Sequence, residues 1–141
     1  MATDNKGDYV SNDRKSGEFT VPANLEDGVP FVNQTGKEVN ISFSATGEWT
    51  FGPIEGDNDD HGPHGANGHP NFPRQNVMKY PDYVTFSLLA VNPAWNTVYQ
   101  AGVQTRLTVP PGATLQFLSN DQTGWYAGNK GSLTIQWTAD V

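Results

Sequence analysis

Glu38-Val39-Asn40-Ile41-Ser42-Phe43-Ser44-Ala45 alternates residue by residue. Val39, Ile41 and Phe43 fall on one side of an extended chain, and Asn40, Ser42 and Ser44 on the other. That period of two marks a strand with one buried and one wetted face. A second run of this kind lies near the end of the sequence, where Leu133, Ile135 and Trp137 alternate with Thr134, Gln136 and Thr138. Working outward, strand signals occur at 18–21, 29–33, 48–51, 76–80, 83–91, 105–109 and 114–118. Pro110-Pro111-Gly112 makes a tight turn between the last two. Roughly eight or nine short strands separated by glycine and proline turns predict an all-β fold, a small antiparallel β-sandwich of jelly-roll type.

Composition agrees with that reading. The chain has 141 residues, 15 glycines, 10 prolines and no cysteine. The longest stretches free of glycine and proline, 82–92 and 113–123, are too short for long helices or coiled coils. No apolar run reaches the length of a membrane-spanning helix. The net charge of −7 repels phosphate backbones and anionic lipid, so nucleic acid and membrane surfaces are poor partners. Without cysteine there is no thiolate nucleophile, no disulfide and no Cys-ligated metal. Residues 1–16 read as a polar tail or edge segment anchored by Tyr9 and Val10, and 17–141 as one domain. The polar start carries no apolar signal core, so the expectation is a cytoplasmic protein, or one exported without a classical signal.

Two polar loops interrupt the pattern. Residues 52–73 hold five glycines, four prolines, four carboxylates and all three histidines. A long connection without periodicity inside a small domain is usually functional or disordered. Asp57-Asn58-Asp59-Asp60 starts like a calcium-binding helix-loop-helix, but His61 and Gly68 stand where further oxygen ligands belong. His61, His64 and His69 are of the type that ligates zinc, copper or nickel, although solvated loop histidines are commoner. The second loop, 120–131, combines Asp121 with amide side chains and three glycines around Trp125 and Tyr126. Carboxylate, amide and main-chain oxygens suit a hard cation, and flat aromatic faces suit the C–H face of a sugar. A polar hairpin loop with an aromatic plug is the plainer reading of the same residues. No nucleophile elbow, zinc-protease motif or phosphate loop is present, and no carboxylate pair is singled out for glycoside hydrolysis.

The order of these segments resembles the PA-IL/LecA-type bacterial galactophilic lectins over roughly residues 17–138. The matching pieces are Gly17-Glu18-Phe19, Gly36-Lys37-Glu38-Val39-Asn40-Ile41, and Gly47-Glu48-Trp49-Thr50-Phe51-Gly52-Pro53. They continue with Gly62-Pro63-His64-Gly65, His69-Pro70 and Val77-Met78-Lys79. The last and strongest piece is Asn120-Asp121 with Gly124, Tyr126, Asn129 and Gly131-Ser132. The resemblance implies a non-catalytic, calcium-dependent lectin in which the ion itself binds sugar hydroxyls. Asp121 would supply a carboxylate to calcium and touch the sugar. Phe51 and Trp125 would supply main-chain carbonyls, Asn129 an amide oxygen, and His69 a hydrogen bond to a sugar hydroxyl.

The chain also departs from that family. Gly128 replaces an asparagine that would give calcium another oxygen. Phe72 stands in place of a sugar-binding glutamine, Trp125 of a threonine, Gln122 of an apolar residue and His61 of a tryptophan. These changes leave open a different sugar, a galactoside with an extended aglycone, or a sandwich that keeps the fold in a structural or assembly role. The expected sugar contacts are therefore His69, Phe72, Asp121, Gln122, Trp125 and Asn129. The expected partners are glycans, and a homo-oligomer, dimer or tetramer, would multiply weak sites.

Overall fold

The computed structural model describes residues 7–140. Residues 1–6, the start of the segment read as a polar tail, and Val141 lie outside the described residues. The strands are β1 (Asp8–Val10), β2 (Ser16–Pro22), β3 (Val29–Asn33), β4 (Val39–Phe51), β5 (His61–His64), β6 (Leu88–Asn92), β7 (Thr97–Gln100), β8 (Gln104–Val109), β9 (Thr114–Ser119) and β10 (Lys130–Ala139). One sheet runs β1-β3-β9-β6-β7 and the other β2-β10-β4-β5, with β8 also paired to β4. Pairing is antiparallel except between β1 and β3. The chain is thus an all-β sandwich, as the alternation predicts.

The stretch that opens the sequence reading is the spine of the second sheet. β4 pairs with β10 from Ile41 opposite Ala139 to Thr50 opposite Lys130. Its other edge takes β8 along Val39–Ser44 and then β5 at Trp49 and Phe51. Val39, Ile41, Phe43, Ala45, Trp49 and Phe51 are all buried, so the period of two holds on both sides of an exposed stretch at 46–48. Gly47 keeps it continuous at φ 103°, where a Cβ would sit 3.0 Å from the Ser132 carbonyl oxygen.

Between the sheets, Phe43 and Phe117 lie 4.9 Å apart by ring centroid, Phe31 and Trp137 5.0 Å, and Phe31 and Phe43 5.2 Å. The pairs with Phe31 meet edge to face, the arrangement that ring quadrupoles favour. Each such side chain contributes about 1.5–3 kcal/mol through burial. The early segment is tied to this core. The Asp8 carboxylate accepts two bonds from Arg14, both at 2.9 Å, and one from Trp137 Nε1 at 2.8 Å. Burial alone would raise the Asp8 pKa, but these donors and the Tyr9 N–H hold it below the usual carboxylate value.

Three expectations change. Residues 76–80 form no strand, because a 3-10 turn at Gln75–Val77 leads into further turns. There the backbone is satisfied by side chains: Tyr80 N–H donates to Asn120 Oδ1, and Asn120 Nδ2 donates to the Tyr80, Tyr83 and Val84 carbonyls. The strand expected over 83–91 begins only at Leu88, since Phe86 adopts φ 63° and breaks the extended run. Conversely, His61–His64 and Thr97–Gln100 are strands that alternation does not reveal.

Candidate functional site

The loop between β9 and β10 is built around a buried carboxylate. Asp121 is 0 % exposed. Its Oδ2 accepts from Asn129 Nδ2 at 2.7 Å and its Oδ1 from the Gln122 N–H at 2.7 Å. Asn129 Nδ2 also donates to the Ala23 carbonyl at 3.1 Å, and its Oδ1 accepts from the Gly52 N–H at 2.9 Å. A backbone N–H can only donate and a carbonyl can only accept, so these two contacts fix which way the amide faces. Tyr126 closes the loop from beneath. Its hydroxyl donates to the Ser119 carbonyl at 2.7 Å and accepts from the Asp121 N–H at 3.1 Å. Tyr126 is therefore the plug, and burial pushes its phenol pKa far up.

Trp125 is the other half of the aromatic pair and behaves oppositely. It is 41 % exposed and borders a depression of about 260 Å³ lined by Gly52, Pro53, Gly124, Ala127 and Gly128. The backbones of the two polar loops meet here, since a Cβ on Gly52 would lie 3.3 Å from the Gly128 carbonyl oxygen. Gln122 fastens the loops together. Its Oε1 accepts from the Glu55 N–H at 2.8 Å, and its Nε2 donates to Glu55 Oε1 at 3.0 Å.

His69 and Phe72 do not line this depression. They belong to a neighbouring cluster centred on Phe86. Phe72 is buried edge-on against His61 (5.3 Å) and His69 (5.1 Å) and contacts Phe86 at 5.2 Å. Phe51 stacks on Phe86 at 4.3 Å. Trp49 Nε1 donates to the Phe86 carbonyl at 2.9 Å, and the Phe86 N–H donates to the Asn120 carbonyl at 2.8 Å. Those bonds hold Phe86 in a backbone region that bulky side chains avoid. His61 Nε2 faces Asp57 Oδ2 at 3.1 Å, while His64 and His69 stand 5.3 Å apart. Among the described residues no three His, Asp or Glu side chains gather as a metal-binding group, so the imidazoles do not converge on one ion.

A calcium set of the expected kind has a single carboxylate and otherwise amide and carbonyl oxygens. The structure offers one observation that fits a cation there. Asp121 is sealed from water, and among the described residues no basic side chain pairs with it. Burial, opposed by the Asn129 and Gln122 donors and by the nearby His61, pushes its pKa up to about 6. A buried charge of this kind calls for a partner. The Trp125 carbonyl, also in the expected set, accepts no hydrogen bond among the described residues.

Sequence reading did not identify Glu26, Ala23 or Gly52 as part of this site. Glu26 Oε1 accepts from the Gly124 N–H at 2.9 Å and so braces the loop from the β2–β3 connection. Nothing local in the sequence marks a contact between residues so far apart.

No family model matches the sequence, and no curated protein matches it. Among solved structures, the chain is similar to one described as "EclA N-terminal domain; PllA-like lectin", with a TM-score of 0.53 and 21% identity over 89% of this chain and 96% of that chain. The two chains share the β-sandwich fold.

Proposed function

We propose that this chain is a non-catalytic carbohydrate-binding module, a lectin, that takes galactose-type or related glycans beside Trp125 with the help of calcium. The observation that carries the reading is the buried Asp121 carboxylate, which no basic side chain pairs with among the described residues, in the same loop as the exposed Trp125. Asp121 and the carbonyls of Phe51 and Trp125 would hold the ion, and Asn129, whose amide oxygen accepts from the Gly52 N–H while its NH2 faces Asp121, would have to turn its amide over to join them. When bound, calcium supplies a positive centre for sugar hydroxyls. The Trp125 ring offers an apolar face for sugar C–H groups. Gln122 and Glu55 keep the two loops in register, Asn129 and the Gln122 N–H hold the Asp121 carboxylate, and Tyr126 holds its backbone. Phe72 acts from below by packing the histidine cluster. His69 contributes at the edge of that cluster, to a glycan long enough to reach it.

One feature supports binding over hydrolysis. Glycoside hydrolysis needs two carboxyl groups flanking the bond. The depression is lined by Gly52, Pro53, Gly124, Trp125, Ala127 and Gly128, none of which titrates. The lectin reading further expects a homo-oligomer, dimer or tetramer, because single shallow sites bind weakly. A second reading, an assembly sandwich that has lost its sugar site, is favoured by Gly128 and by the internal engagement of Phe72 and Gln122.

Calorimetric titration with methyl galactosides, with calcium and with chelator, separates the readings. Saturable heat that chelation removes supports the lectin. Silence in calorimetry and on a broad glycan array, with calcium present, leaves the assembly reading.

A further inference from the structure

The outer face of the first sheet is apolar where a sandwich sheet ordinarily faces water. Leu89, Val91 and Leu118 form a second cluster, separate from the main core and packed under Tyr80, Tyr83 and Val98. Tyr80, Tyr83 and Val98 cover most of it, leaving narrow edges of Val91 and Leu118 accessible. Beside that cover lies a pocket of about 370 Å³, floored by Val91 and Leu118 and walled by Tyr80. That volume is within the range of small-ligand sites, roughly 300–1,000 Å³.

Polar groups ring the apolar floor, and most have capacity to spare. Asp27 is wholly exposed, with Oδ1 3.8 Å from Lys79 Nζ. Lys79 Nζ donates to the Glu26 carbonyl at 3.3 Å and stands 3.9 Å from Glu26 Oε2. The Gln116 amide and the Tyr80 hydroxyl make no hydrogen bond among the described residues. Burial and the nearby Asp27 charge raise the Tyr80 pKa, so the phenol keeps its proton for donation. Two carboxylates face one ammonium, which leaves the rim negative.

We propose that this pocket is a second sugar subsite, and that it takes a neutral or amine-bearing hexopyranose while rejecting anionic sugars. The ligand class follows from the layout. An apolar floor with an aromatic wall suits the C–H face of a pyranose, planar amide and carboxylate groups suit its hydroxyls, and the negative rim attracts an amine and repels a carboxylate. The proposal rests on the carbohydrate-binding reading for its ligand class but not on the Trp125 depression. The two sites share a wall, because the Lys79 N–H donates to the Asp121 carbonyl at 2.8 Å and Glu26 accepts from Gly124.

The test is an amide-resolved NMR titration of the whole chain with methyl β-galactoside, galactosamine and N-acetylneuraminic acid. We expect saturable shifts at Asp27, Tyr80, Gln116 and Leu118 with the first two sugars and none there with the third. Galactosamine should bind several-fold tighter, and Asp27→Asn, at an exposed position, should erase that preference. Gln116→Ala should weaken binding there about tenfold, the loss of one or two hydrogen bonds, without moving the shifts at Trp125 and Gly128. Shifts confined to the Trp125 loop overturn this subsite and leave the proposed function standing. Shifts confined to Gln116 and Tyr80 uphold it and remove Trp125 from the sugar site. No saturable shift at either place overturns both. Shifts at Gln116 that follow protein concentration rather than sugar assign the face to a second copy of the chain and overturn the subsite.

Discussion

The two polar loops look alike as strings of glycine, amides and acids, yet they handle charge in opposite ways. In 120–131 the single carboxylate, Asp121, is sealed from water and held by Asn129 and Gln122. In 52–73 the acids stay near solvent: Asp59 and Asp60 are exposed, and Asp57 turns to His61 and to the Ile54 and Asp59 amides. The acid-rich loop is thus not the one that holds a carboxylate away from water. An exposed carboxylate is already solvated, whereas a buried one costs free energy until something positive reaches it. The contrast teaches that burial, rather than the number of acids, decides where a carboxylate's charge is costly.

The largest expected effect tests that contrast directly. A ligand that binds only the folded state stabilises it by about 2.7 kcal/mol at a hundred times its Kd. For a domain of this size that raises Tm by roughly 8 °C. Asp121→Ala should abolish the rise, as read by thermal melts with calcium and with chelator. A full calcium response in Asp121→Ala would move the ion elsewhere and break the comparison. Next, Trp125→Ala should weaken glycan binding about tenfold, since a stacked aromatic contributes on the order of 1 kcal/mol. Its Tm should hardly change, because the ring is 41 % exposed.

How much of this was legible in the sequence depends on the range of the interaction. Val39, Ile41 and Phe43 declare their strand locally, and so do Leu133, Ile135 and Trp137. The Asp121 loop also stands out, because its residues are contiguous. The residues that complete it do not. Ala23, Glu26 and Gly52 come from distant connections, and only the folded chain brings their backbone groups to Asn129 and Gly124. Trp125 and Tyr126 are adjacent aromatics with identical local signals, and only the position of the Ser119 carbonyl makes Tyr126 the plug. The first half of the strand expected over 83–91 is lost for a similar reason. Bonds from Trp49 and to Asn120 hold Phe86 at φ 63°, and no local pattern announces them.

A smaller effect separates the loops by pH. In chelator, the folded state binds a proton at Asp121 with a pKa of about 6 against an ordinary 3.8. The cost of its charge is fully present above pH 6 and is relieved as pH falls toward 4, so this group should add about 1 kcal/mol of stability between pH 7 and 5. His64 in the first loop works the other way. Burial and the neighbouring His69 and His61 lower its pKa below 6.5. The folded state therefore resists protonating it, and its contribution is present above pH 6.5 and declines as pH falls. Melting profiles of Asp121→Asn and His64→Gln, each subtracted from the parent, should show opposite slopes in this window. Parallel slopes would mean that the loops do not differ in the way described.

The smallest expected effect is also the sharpest check on which loop carries the cation. Asp59 and Asp60 are exposed, and neither carboxylate accepts a hydrogen bond among the described residues. Exposed groups away from buried networks usually change stability by less than about 0.5 kcal/mol when replaced. The double variant Asp59→Asn with Asp60→Asn should therefore melt within about 2 °C of the parent and keep its calcium response. It removes two negative charges from the first loop, so any long-range attraction for calcium should weaken slightly and fade with added salt. If instead the double variant lost the calcium response while Asp121→Ala kept it, the exposed acids would be the ligands. Asp121 would then be a buried acid that the fold stabilises by keeping it protonated, and the glycan-binding reading would have to stand on Trp125 alone.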